Sequence, residues 1–117
     1  MVKPKLDIIM TKERPIGSVK QLFYTVKKKI GTKYADFEIS EIYDILEGVE
    51  KKADKKANGK ETKILIQALC PSGFKTLKSF DGDLNLNEYE EYFDSSVADP
   101  SKFNKLSQLQ FIVSFQL

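Results

Sequence analysis

The C-terminal stretch "LSQLQFIVSFQL", residues 106–117, constrains the fold more than any other part of the chain. Leu109, Phe111, Val113, Phe115 and Leu117 fall on one side of an extended backbone, and Gln108, Gln110, Ile112, Ser114 and Gln116 on the other. Alternation with period two predicts a strand whose apolar side belongs in a core and whose other side is polar and wet. A sheet covered on one face only is typically antiparallel. At 117 residues the chain fits one domain, able to bury roughly two-thirds of its unfolded surface without staples.

Upstream, "KLDIIMT" (5–11) sets Leu6, Ile8 and Met10 against Asp7, Ile9 and Thr11, predicting a half-buried strand that ends at Pro15 and Gly17. Ser18 with Gln21 three residues on fits a capping box. Val19, Leu22, Phe23, Val26 and Ile30 then recur at helical spacing before Gly31, so the spacing predicts a helix over 18–30. A second helix is expected from Asp36 or Ser40, with the stripe Ile39, Ile42, Leu46, Val49 and Ala53 and an end at Asn58-Gly59. Lys51, Lys52, Lys55 and Lys56 crowd its last turns, where cations suit the negative end of the dipole; the favoured reading is a solvated helix end.

"TKILIQALC" and "FKTLKSF" flank "PSG" and predict a hairpin. Each face of "FKTLKSF" carries a lysine, so alternation does not decide which is buried, and a bulge at Gly73 would shift Phe74. A short helix at about 86–95 and a loop at Asp99-Pro100 precede the last strand. The expected order is β-α-α-β-β-α-β in a single α+β domain, residues 1–117, with helices on one face of an antiparallel sheet. That is a ferredoxin-like variant if the first two helices act as one crossover, with a winged helix as the alternative.

The stretch "FDGDLNLNEYEEYFD" (80–94) places Asp81, Asp83, Asn85 and Asn87 on alternate positions, as calcium loops do. A calcium loop also needs glycine at its sixth position and glutamate at its twelfth; Leu86 and Tyr92 stand there. The stretch reads instead as a helix start, with Asn85 or Asn87 as cap and glutamates in the first turns. There is no histidine, which removes the usual general base and the triads built on it. The lone Cys70 builds neither a disulfide nor a thiolate zinc site and reads as structural, in an intracellular setting. No phosphate loop, cofactor motif, signal peptide or membrane span is recognisable, so no catalysis, cofactor, metal or membrane partner is expected.

What remains is surface recognition. Residues 1–60 hold fourteen Lys/Arg against nine Asp/Glu, and residues 61–117 hold five against eight. Only Arg14 among these cations is an arginine, so contacts to phosphate are expected over the reading of base edges. The expected nucleic-acid-binding residues are Lys20, Lys27, Lys28, Lys29 and Lys33 on the helical surface, with Phe74, Lys75 and Lys78 of the hairpin, where aromatic and basic side chains interleave. Core packing is the stronger reading for Phe74 and Phe80. The alternative function is a protein-interaction or assembly module, a homodimer through a sheet edge being the commonest form, with the last strand as that edge. The composition suits a small accessory protein of a virus or mobile element.

Overall fold

The computed structural model describes residues 5–57, 63–70, 73–98 and 107–116, with backbone alone for 95–98. The caps and turns expected at Asn58-Gly59, Pro71-Ser72 and Asp99-Pro100 lie outside the described residues. The elements are β1 (Lys5–Ile16), β2 (Val19–Ile30), β3 (Lys33–Ala35), a single 3-10 turn (Ile39–Glu41), α1 (Ile42–Lys56), β4 (Ile64–Cys70), β5 (Gly73–Lys78), α2 (Asn87–Ala98) and β6 (Gln108–Gln116). The protein is thus α+β, with a six-stranded antiparallel sheet and two helices, and the expected β-α-α-β-β-α-β order gives way to β-β-β-α-β-β-α-β. The winged-helix alternative, which needs a helical bundle, does not fit two helices laid on so wide a sheet.

The helix expected over 18–30 is strand β2, because Gly17-Ser18 is a two-residue hairpin loop and not a helix cap. Ile16 pairs with Val19 across it, and Gly17 takes φ 59, a conformation that side-chain-bearing residues rarely adopt. Gly31 (φ 63) and Thr32 form a second such loop, across which Ile30 pairs with Lys33 of β3. Between the loops Leu22, Tyr24 and Val26 alternate as core residues, and β1 and β6 satisfy the backbone on either side. β-Branched and aromatic residues (Val19, Phe23, Tyr24, Thr25, Val26, Ile30) suit that environment better than a helix.

Across the sheet the order is β1-β2-β6-β4-β5, with β3 paired to the end of β2. The C-terminal strand β6 therefore lies between β2 and β4, so it is not the open edge that an assembly module would use; β1 and β5 are the edges. After β3, α1 carries the chain from the β2 side of β6 to β4 on the other side, and α2 carries it from β5 over β4 to β6. Both helices cover the same face. Leu22, Tyr24 and Val26 stand opposite Val113, Phe111 and Leu109, which stand opposite Ile66, Ala68 and their neighbours, and all join one buried cluster with Ile45, Val49, Tyr89 and Phe93. Tyr89 meets Phe93 and Phe111 edge-to-face at 6.2 Å between centroids, fixing α2 on β6. Gly48 lets α1 approach β1 closely, since a Cβ there would come 2.7 Å from Ile8 Cδ1.

In the β4–β5 hairpin the register shifts between Ile66 and Gln67, opposite Leu77, and not at Gly73. Leu77 thereby reaches the core, while Phe74 turns to the other face and stays 37% exposed, which overturns its expected burial. α2 begins where the Asn85 side-chain oxygen accepts the Asn87 N–H at 3.0 Å, the local turn expected of that stretch.

Candidate nucleic-acid interface

The uncovered face of the sheet is built by the residues between the core positions. On β1 these are Lys5, Asp7 and Ile9, then Lys12 and Arg14 after a bulge at Thr11. On β2 they are Val19, Gln21, Phe23, Thr25, Lys27 and Lys29. Gln108, Gln110, Ile112, Ser114 and Gln116 of β6 follow, then Leu65, Gln67 and Leu69 of β4, then Phe74 and Thr76 of β5. The pairings line up one row across five strands: Lys12, Phe23, Ile112, Gln67 and Thr76, about 19 Å long at the usual strand spacing. Ile112 and Ser114 lie in the middle of the sheet and are 6% and 1% exposed, so this part of β6 is buried and not wet as its alternation predicts, although neither described helix packs on this side.

Charge and ring planes share this face. Lys5, Lys12, Arg14, Lys27 and Lys29 stand there with Asp7 as the one carboxylate among the described strand residues. Lys12 Nζ lies 5.6 Å from the centre of the Phe23 ring, and Lys27 Nζ lies 5.1 Å from that of Tyr34 on β3. Tyr34 and Phe74 are exposed and Phe23 is half-buried, so each presents ring surface to solvent. The glutamine amides between them each offer two donors and an acceptor.

The expected site residues divide between the faces, because neighbours along a strand point opposite ways. Lys27 and Lys29 belong to the uncovered face, and Lys33 is exposed beside the turn into β3. Lys28 points to the helix side, where it is buried; its Nζ donates to Glu41 Oε1 at 2.7 Å and to the Asp36 carbonyl at 3.4 Å. Glu41 Oε1 also accepts the Glu38 N–H at 2.8 Å, so Lys28 ties the end of β2 to the 3-10 turn on the helix side of the sheet. Lys20 is on the helix side too, ion-paired with Glu13. Of the hairpin residues Phe74 faces outward, Lys75 stands opposite Ala68 on the helix side, and Lys78 lies close enough to Glu50 of α1 to offset part of the rise that burial imposes on that carboxyl. No expected lysine of this group sits on a helix. The residues that sequence reasoning missed are Lys12, Arg14, Phe23, Tyr34 and the glutamines, and Gly17-Ser18 was the signal that would have placed them.

Cys70 is buried, its Sγ 3.8 Å from the Ala68 carbonyl, and burial pushes the thiol up to about 11, which leaves it a poor nucleophile at neutral pH. Among the described residues no group of acidic, cysteine or histidine side chains is arranged to hold a metal ion, and no helix is long and apolar enough to cross a membrane. No known protein family, curated protein or solved structure matches the chain.

Proposed function

We propose that the protein is a non-catalytic binder of single-stranded nucleic acid, which it receives on the uncovered face of the sheet. The observation that carries this reading is the meeting of Phe23 and Tyr34 with five cations and one carboxylate of β1 and β2, with Phe74 on the same side at the far edge β5, on a face that neither described helix covers. Ring planes stack bases whatever their sequence, and flanking lysines neutralise phosphates. Gln67 and Gln110 lie between Phe23 and Phe74, and Gln21 flanks Phe23, where their amides reach unpaired base edges; a duplex hides those edges. The lysines act from strands, replacing the helical surface expected from sequence.

Fluorescence anisotropy with labelled single strands of about 12 nucleotides, DNA and RNA, and a matching duplex tests the reading. Five phosphate contacts give a log affinity against log salt slope of about −3.5 on single strands. Phe23→Ala weakens binding about 5- to 150-fold, the loss of one stacking platform. Absence of binding to any single strand at about 50 mM salt ends the proposal, as does a preference for duplex that is insensitive to Phe23. The assembly reading draws on Ile9 and Ile16 of edge strand β1, both exposed; a stable dimer without oligonucleotide binding would favour it.

A further inference from the structure

On the opposite face, α1 leaves part of the β1–β2 hairpin uncovered, and a cavity of about 610 Å³ opens there. We propose that this cavity is a binding site for a small polyphosphate anion, separate from the nucleic-acid face and independent of that reading. Four lysines from two elements converge on it: Lys20 from β2, and Lys52, Lys55 and Lys56 from the last turns of α1. Glu13 of β1 is the single carboxylate in the lining, and it bridges Lys20 and Lys56 (3.6 Å to the latter). Its two partners hold its carboxyl below the ordinary range, the hydrogen bond from Lys20 contributing most. Lys52 and Lys55 have no ion-pair partner among the described residues.

A second, independent observation is Tyr24. Tyr24 lines the cavity and is 2% exposed, and its buried hydroxyl has no hydrogen-bond partner among the described residues. A buried hydroxyl left without a partner is costly, and an acceptor oxygen from a ligand would satisfy it. Lysines at the end of α1 also answer the helix dipole, but Lys20 and Tyr24 belong to β2 and have no such task. The remaining wall, Ile8 and Met10, is apolar. Lysines as point charges suit phosphates, and the volume lies in the range of small-molecule sites. The chemistry recognised is therefore a chain of phosphates, bare or carried on an organic group that rests on Ile8 and Met10.

Isothermal titration of the full chain with inorganic tripolyphosphate and, separately, with ATP, both without divalent cation and at low salt, tests the site and distinguishes the two sources. Both probes are expected to bind; at least tenfold tighter binding of ATP assigns the apolar wall to the organic group, and equal binding assigns the lysines alone. Lys52→Ser/Lys55→Ser, two exposed positions on α1 whose change spares the core, is expected to weaken tripolyphosphate at least tenfold. Tyr24→Phe, which keeps the ring and the fold, is expected to weaken it several-fold, whereas a merely structural Tyr24 would leave binding unchanged. Lys63→Ser, at an exposed lysine outside the cavity lining and outside the nucleic-acid face, is expected to bind as wild type. The proposal is overturned if neither probe binds, if Lys52→Ser/Lys55→Ser binds as tightly as wild type, or if Lys63→Ser weakens binding as much as the cavity variants do.

Discussion

The run Lys27-Lys28-Lys29 gives the sharpest test of how the chain is folded and used, because a strand sends its middle lysine one way and its neighbours the other. Lys28 side-chain exposure is 11% and that of Glu41 is 25%; their 2.7 Å contact is supported by the Asp36 carbonyl on one partner and the Glu38 N–H on the other. Glu41→Ala leaves a largely buried ammonium with one long hydrogen bond and removes the acceptor of the Glu38 N–H. Charged hydrogen bonds contribute about 1.5–3 kcal/mol each, and the partial exposure of Glu41 discounts this, so a loss of about 2–3 kcal/mol is expected. Lys28→Met keeps most of the apolar stem and leaves Glu41 able to turn to water, at a cost of about 1 kcal/mol. In the double variant no charge is stranded, so its loss falls short of the sum by about 1–2 kcal/mol. Urea unfolding followed by far-UV circular dichroism reads the cycle, since the chain has no tryptophan. Lys27→Glu/Lys29→Glu, in contrast, is expected to leave stability within about 0.5 kcal/mol and to flatten the salt dependence of oligonucleotide binding by about 1.5 in slope. The reasoning fails if Lys28→Met is thermodynamically silent and lowers binding as Lys27→Glu does, for then Lys28 faces the ligand.

Gly17→Ala is expected to cost about 1–2 kcal/mol in the same urea assay: a Cβ there has nothing within 4 Å, so the penalty comes from φ 59 alone, and an unchanged midpoint would mean the hairpin loop is misassigned. Burial raises the Cys70 thiol from its ordinary value near 9 to about 11, so its contribution to stability is complete below pH 9 and is lost as pH climbs toward the folded value, at about 1.4 kcal/mol per unit. Buried Tyr24 shifts upward as well, so the comparison is with Cys70→Val, whose unfolding free energy is expected to fall less steeply between pH 9 and about 10; parallel slopes would contradict the burial of the thiol.

The elements legible in the sequence are those with one unambiguous period. β6 alternates over nine residues, and α1 shows Ile42, Leu46, Val49 and Ala53 at helical spacing, all buried as expected. β2 was illegible for a specific reason. Phe23 is apolar although it faces outward, and Lys28 is charged although it faces inward, so the period-two pattern is broken at both positions while Val19, Leu22, Phe23, Val26 and Ile30 imitate a helical stripe. Those two breaks have separate causes: Phe23 lies under the Lys12 ammonium on the candidate interface, and Lys28 is neutralised by Glu41. The pairing with β6, ninety residues away in sequence, decided between the periods, and no window of local sequence contains it.

The same alternation explains why a lysine-rich half need not make one lysine-rich patch. A helix over 18–30 would have gathered its lysines on a solvated side, whereas the strand deals Lys20 to the cavity under α1, Lys28 to an internal ion pair, and Lys27 and Lys29 to the uncovered face. Solubility alone would ask for charge along the edges of such a sheet, and β1 supplies it with Lys5, Lys12, Arg14, Pro15 and a bulge. Solubility does not ask for Phe23, Tyr34 and Phe74 on the uncovered face, where each leaves apolar ring surface in contact with water. Ammonium groups over two of those rings offset part of that cost, and a stacked base would offset more of it, since it covers the ring and brings its phosphate to the same cation.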